Sequence, residues 1–336
     1  MRVTNKMLSN NFLRDMNINL QNLQTLQQQM TSGKEIRKPS DDPFKVARAM
    51  QLNSDINANK QYNENISDTI NWLDTTDTAL GQAGDVLKRV RELLLSAGNA
   101  AYGSDEKRAI KDELNQKVGE LSQILNTNFD GKYVFGGTRG TTKPTDATVD
   151  ATTGNTVLSY KINGASPTPA DKVAQIAMIK SSVSVEISQG VSMEYNVSAG
   201  DVMEFTSEDG TIYNLSDLLK GITNHLDGKL NDTDAAGSNV DAANTLIGKD
   251  DLKGITDAIN NLLKIRSEVG AKQNRMDSAK GRNEDENFNM TELLTKTEDI
   301  DITEKTMQYA NAQMVYMASL QTSAKVIQPT LMDYLR

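Results

Sequence analysis

A single histidine, His225, and no cysteine among 336 residues leave little from which to build a catalytic centre. A thiol nucleophile, a disulfide framework, an iron-sulfur cluster and nearly every zinc geometry lose their ligands together. The HExxH helix of a metalloprotease needs two histidines, so His225 reads as a surface histidine. Carboxylates are plentiful, and Asp41-Asp42, Asp250-Asp251 and Glu284-Asp285-Glu286 stand side by side. Such neighbours could act as general acid and base, but their settings read as a helix cap, a helix start and a solvated face. No Gly-x-x-x-x-Gly-Lys-Ser/Thr loop or Gly-x-Gly-x-x-Gly turn offers a phosphate cradle. The residue types therefore predict no enzyme, no cofactor and no metal.

Thirty-six Lys and Arg against 45 Asp and Glu give a net charge of −9, which argues against nucleic acid or an acidic membrane as partner and for other proteins. The N-terminus lacks the apolar run of a secretory signal, and no stretch is long enough to span a membrane. The expectation is a chain that is cytosolic or leaves the cell by another route, with no membrane insertion. Hydrophobic residues make up 37%, a thin core for this length, suited to long helices that bury one narrow stripe.

The six prolines divide the chain, because residues 44–143 and 170–328 contain none. Leu13, Met16, Leu20, Leu23 and Met30 alternate by three and four, with Gln27 in the remaining position, as in a helix that meets another helix. The pattern stops at Thr31-Ser32-Gly33. Asp42 is then a natural N-cap and Pro43 a natural first residue for a second helix. Leu52, Ile56, Ile66, Ile70, Leu73, Leu80, Leu87, Val90 and Leu94 carry its stripe to Gly98, roughly 54 residues or about 80 Å if helical. Gly81 and Gly84 each cost about 1 kcal/mol relative to alanine and leave room for a local break. A further helix is expected over 105–127, capped by Ser104, with Ile110, Leu114, Val118, Leu121 and Leu125 inward. Trp72, beside Leu73, reads as a partly covered packing residue.

Asp130-Gly131 is a turn signal before Lys132-Tyr133-Val134-Phe135 and predicts a hairpin that Gly136-Gly137 would end. From about 138 to 250, short alternating runs such as Val183–Ile187 and Met193–Val197 read as a small β-rich domain. Helical spacing returns with Leu252, Ile255, Ile259, Leu262, Val269 and Met276. It resumes with Met307, Ala310, Met314, Met317, Leu320, Ala324 and Ile327, before Pro329. The chain is thus expected to run out along helices and back along helices, with its ends side by side. Residues 12–31 hold only Arg14 and Asp15 as charges, and residues 310–332 only Lys325. Interface cores exclude charge, so several sides of these terminal helices are expected to be covered by neighbouring molecules, with order gained on assembly. The candidate interface residues are Leu13, Met16, Leu20, Leu23 and Met30 in the first helix, and Met307, Met314, Met317, Leu320 and Ile327 in the last.

Five segments carry a family resemblance: SGKEIRKPSDDP (Ser32–Pro43), NTNFDGKYVFGG (Asn126–Gly137), EVGAKQNRMDSA (Glu268–Ala279), EDIDITEKTMQY (Glu298–Tyr309) and LMDYLR (Leu331–Arg336). Together they resemble the bacterial flagellar hook-associated protein 3 family, the hook-filament junction proteins of the flagellin superfamily. The resemblance implies a non-enzymatic adaptor, exported unfolded through the flagellar type III apparatus with an export chaperone. It implies a ring of sister subunits between hook-associated protein 1 and flagellin, outside the cell. Flagellin shares the Glu298–Asp301 segment and the long helices and is the alternative, although the Pro39–Pro43 and Asp130–Gly137 segments look more like the junction family.

The expected fold is mainly α with a β-rich insert, an elongated flagellin-like helical bundle with paired N- and C-terminal helices and a small β domain at the far end. Its parts are an N-terminal assembly helix (1–42), the outgoing bundle with its hairpin (43–137), a β-rich outer domain (138–250), the returning bundle (251–300) and a C-terminal assembly helix (301–336).

Overall fold

The computed structural model describes residues 5–98, 103–151, 153–164, 167–207, 209–231 and 234–326. They divide into two compact units, one of residues 1–60 and 284–336 and one of residues 61–283.

In the first unit, helix α1 (Asn5–Ser32) lies against the last described helix, α9 (Ile302–Val326). The ends of the chain therefore pair, as the out-and-back pattern predicts. Helix α2 (Pro43–Ala97) begins in this unit, and Asp42 caps it by accepting from the Phe44 and Lys45 amides at 3.1 Å each. The cap satisfies two of the amides that a helix start leaves without a carbonyl. Pro43 needs no such partner and has the helical φ already set.

The second unit is built on strict heptads. Ile66, Leu73, Leu80, Leu87 and Leu94 recur every seven residues of α2 and are each at most 1% exposed. Thr69, Thr76, Ala83, Val90 and Ala97 fill the alternate seam positions, also buried. The two threonines satisfy their hydroxyls within the helix, on the Asn65 and Trp72 carbonyls, so small polar residues are tolerated in the seam. The returning helix α8 (Leu252–Glu298) answers with Ile255, Ala258, Leu262, Ile265, Val269, Met276 and Ala279, all buried. Arg266 of α8 grips Asp77 of α2 through two hydrogen bonds of 2.8 and 2.9 Å. Its guanidinium lies over Gly81. The break for which Gly81 and Gly84 leave room is absent, because a continuous helix places that small residue under the arginine. Helix α3 (Ser104–Leu125) turns Leu114, Val118, Leu121 and Leu125 into the same core. Its cap is Gly103 and not Ser104: the Glu106 carboxylate takes the Gly103 amide at 3.0 Å and starts the helix one residue early.

Strands β1 (Asn128–Phe129) and β2 (Lys132–Tyr133) form the expected hairpin. Asp130 and Gly131 have φ of 49° and 75°, the two left-handed residues that a tight antiparallel turn requires. Gly137, at φ 57°, passes so close to the Ile179 and Met178 carbonyls that a Cβ would overlap them. Trp72 meets Phe129 and Tyr195 edge to face, with centroids 6.0 and 5.8 Å away.

Residues 138–250 hold three more antiparallel pairs: β3 (Thr145–Val149) with β4 (Thr156–Tyr160), β5 (Ser184–Ser188) with β6 (Val191–Glu194), and β7 (Glu204–Thr206) with β8 (Ile212–Asn214). Each described strand has a single partner. Between them lie helices that the alternating runs do not announce: α4 (Pro169–Lys180), α5 (Ala199–Met203), α6 (Leu215–Leu226) and α7 (Val240–Leu246), the last followed by a π-helical turn, Ile247–Asp251. The insert is thus a mixture of short strand pairs and short helices around one core that includes Leu158, Ile179, Leu215 and Ile222.

Candidate assembly interface

Two of the quoted segments, Ser32–Pro43 and Glu298–Tyr309, are each other's partners. The Glu35 amide donates to the Glu298 carbonyl at 2.6 Å, and the Ile300 amide donates to the Gly33 carbonyl at 3.1 Å. Lys34 and Asp299 form an antiparallel bridge, and the Lys34 ammonium sits 2.5 Å from the Glu298 carboxylate. Asp41 accepts from the Arg37 and Lys38 amides at 3.2 and 3.0 Å and shapes the loop. Asp301 caps α9 through the Thr303 and Glu304 amides. Asp42 and Asp301 answer amides that a helix start would otherwise leave unsatisfied, whereas Asp41 ties down loop amides. Asp41-Asp42 is accordingly a loop clasp and cap, as its setting suggests, and Glu284-Asp285-Glu286 lies exposed on α8.

Above this clasp run α1 and α9. Half-buried positions of α9 are Lys305, Tyr309, Ala312, Tyr316 and Ser319, a four-three-four-three spacing that marks the stripe turned toward α1. Met307, Met314, Met317 and Leu320 are 60%, 57%, 50% and 43% exposed. With Ala310, also exposed, Met307, Met314 and Met317 form a second stripe of three-four spacing, two residues and hence about 200° around the helix from the first. On α1 the half-buried stripe is Phe12, Met16, Asn19, Leu23, Leu26 and Met30, with Leu20 beside it. Leu13 is 39% exposed and Gln27 is exposed as well. The stripe read from the sequence therefore shares Met16, Leu23 and Met30 with the covered one and differs at Leu13 and Gln27. Phe12, Asn19, Leu26, Tyr309 and Tyr316 were missed. Their signal was a second heptad phase in helices where several faces are apolar. Ile327 lies outside the described residues.

His225 corrects an expectation. It is no surface residue: its side chain is 12% exposed, and Nδ1 lies 2.6 Å from the Asp251 carboxylate, itself buried. Asp251 ends the π-helical turn that leads into α8, so one member of the Asp250-Asp251 pair packs inward against the end of α6. Nearby in the insert, burial and the Glu204 carboxylate raise the Tyr160 phenol above its ordinary value. Among the described residues no group of three or more His, Cys, Asp or Glu side chains is placed to hold a metal ion. No described helix is long and apolar enough to cross a membrane.

Residues 3–140 match the bacterial flagellin N-terminal helical region, and residues 252–335 match the bacterial flagellin C-terminal helical region. The flagellin of Bacillus subtilis is 25% identical over 326 residues, spanning 95% of this chain and 94% of the relative. Flagellar hook-associated protein 3 of Salmonella typhimurium is 23% identical over 300 residues, spanning 88% of each. The crystal structure of flagellar hook-associated protein 3 from Legionella pneumophila shares the fold, with a TM-score of 0.57 over 74% of this chain and 98% of that one at 13% identity. With both helical regions present and spanning most of its length, the chain belongs to the flagellin family of flagellar structural proteins.

Proposed function

We propose that the chain is the junction subunit of the flagellum, an adaptor ring between hook-associated protein 1 and the flagellin filament, required for filament attachment and motility. The observation that supports an assembling role is the uncovered Met307–Ala310–Met314–Met317 stripe on a helix whose opposite face is already occupied. Methionine suits contacts with non-identical neighbours, because its unbranched side chain adapts to different surfaces. The choice of junction over filament rests on Pro39–Pro43 and Asp130–Gly137, which look more like the junction family than like flagellin. In this reading residues 1–42 and 301–336 are assembly arms, 43–137 and 251–300 meet lateral and axial neighbours, and 138–250 faces outward. The chain reaches the junction unfolded, through the type III apparatus and with an export chaperone.

Deletion in the native organism tests the proposal. Hooks that lack filaments, with flagellin lost to the medium, are the expected result; filaments still attached to hooks would overturn it. The second reading, a filament subunit, is favoured by the Bacillus subtilis relative along nearly the whole chain, and predicts loss of the main filament mass. Removal of residues 1–40 or 305–336 is expected to leave the helical bundle folded and to abolish incorporation.

A further inference from the structure

Of the six phenylalanines, two stand far out of the surface: Phe44 at 79% and Phe288 at 72% exposure. Single apolar side chains exposed on a surface are ordinary; what gives one of these two a partner is a pocket that fits it and charges that match it. The charged neighbours of the two differ, being acidic around Phe288 and mixed around Phe44. One turn to either side of Phe288 on α8 lie Glu284, Asp285 and Glu292, whereas Phe44 stands between Asp41-Asp42 on one side and Lys45 and Arg48 on the other. Within the same unit is an open pocket of about 140 Å³ lined by Ile36, Ala49 and Met50 and by Arg37, Lys38 and Glu298, whose carboxylate is already paired with Lys34. Ile36 and Ala49 are each 7% exposed. Arg37 and Lys38 are exposed, with no ion pair among the described residues. An apolar cavity of roughly 150 Å³ accepts a benzene ring, so this partly polar pocket has room for a single phenyl group. Its exposed Arg37 and Lys38 favour the phenylalanine with acidic neighbours over the one whose neighbours are mixed.

We infer that Phe288 of one copy inserts into the Ile36/Met50 cavity of a second copy, with Glu284 and Asp285 set against Arg37 and Lys38. The knob and the hole are different residues, so the contact is heterologous and repeats from copy to copy, as a ring or a helical array requires. One phenyl group buries far less than the ~1,200 Å² of a stable pair. The contact therefore works inside an assembly that the terminal helices already hold, and in this respect it rests on the structural role proposed above.

The absence of cysteine allows a direct test in assembled flagella. A chain with Asn53→Cys at the cavity and Thr291→Cys one turn beyond Phe288, produced in a deletion strain, should yield disulfide-linked multimers after mild oxidation of isolated hooks with filaments. Either cysteine alone should not. Adding Phe288→Ala, an exposed position where the fold has nothing to lose, should lower the multimer yield at least about ten-fold. Arg37→Glu with Lys38→Glu should do the same, and Glu284→Lys with Asp285→Lys should restore it. Attached filaments without multimers, or multimers indifferent to both Phe288→Ala and the charge reversal, would overturn the contact. Failure of the junction role shows itself separately, as filaments that persist on hooks when the chain is deleted.

Discussion

The heptads of α2 between Ile66 and Leu94 and those of α9 between Met307 and Leu320 follow the same spacing rule and end in opposite states. In the first, every apolar seam residue is closed off by the chain itself. In the second, one stripe is half covered and the other, on the far side of the helix, is left in water. The surroundings explain the difference. The α2 stripe is narrow and flanked by charged residues such as Asp74, Asp77, Lys88 and Arg89, so only one face can go inward. Helix α9 has charges in its first turns and almost none afterwards, so it has two faces to offer and one intramolecular partner. Heptad spacing identifies a helix that packs; the charge on its remaining faces identifies how many partners it packs with.

That contrast breaks most visibly at Leu80. Leu80→Ala, in a site with 0% exposure, should cost about 2–5 kcal/mol of stability, read from chemical denaturation. A loss below about 1 kcal/mol would mean that the α2 seam is not closed. Gly137→Ala should cost about 1–3 kcal/mol, through positive φ and overlap with the Ile179 carbonyl; a neutral result would show that the loop yields freely. Breaking the Arg266–Asp77 pair is a milder change, because both side chains are more than a third exposed. A double-mutant cycle should find about 0.5–1 kcal/mol. Met314→Ala should move the stability of the isolated chain by less than about 0.5 kcal/mol while reducing incorporation into flagella. An equal loss of both would place Met314 in a fold-supporting contact and erase the contrast. The smallest effect is set by pH. The Thr168 hydroxyl and amide bind the Asp171 carboxylate and hold it below its ordinary value of 3.8. Its contribution is present above that value and fades as pH falls through the lower folded value. Asp171→Asn should therefore be destabilising at pH 7 and progressively less so as pH falls below 3.8, compared by thermal unfolding.

The long helices and the hairpin were legible because each depends on local chemistry. Asp42-Pro43 starts α2, the heptads carry it, and Asp130-Gly131 turns the chain where two positive φ values are needed. The helices of the insert were harder to see, although they carry signals of their own. Thr168-Pro169 with Asp171 is a reciprocal cap, and Asn214 precedes Leu215, Leu219, Ile222 and Leu226 at helical spacing. Flanking two-residue alternations and glycines mask both in a one-dimensional reading. The His225–Asp251 pair was out of reach, since α6 and the π-helical turn bring together residues 26 positions apart with no motif between them. The choice between the two α9 phases was also beyond periodicity: both satisfy the three-four rule, and only the position of α1 selects Tyr309 and Tyr316 for the inside.

The central claim is that the exposed methionine stripe of α9 serves other molecules and not the fold. Incorporation of a chain carrying Met307→Gln, Met314→Gln and Met317→Gln between hook and filament, measured beside its unfolding midpoint as an isolated chain, tests this most directly. The account predicts an unchanged midpoint and a subunit absent from the flagellum. Normal incorporation with filaments attached would contradict it.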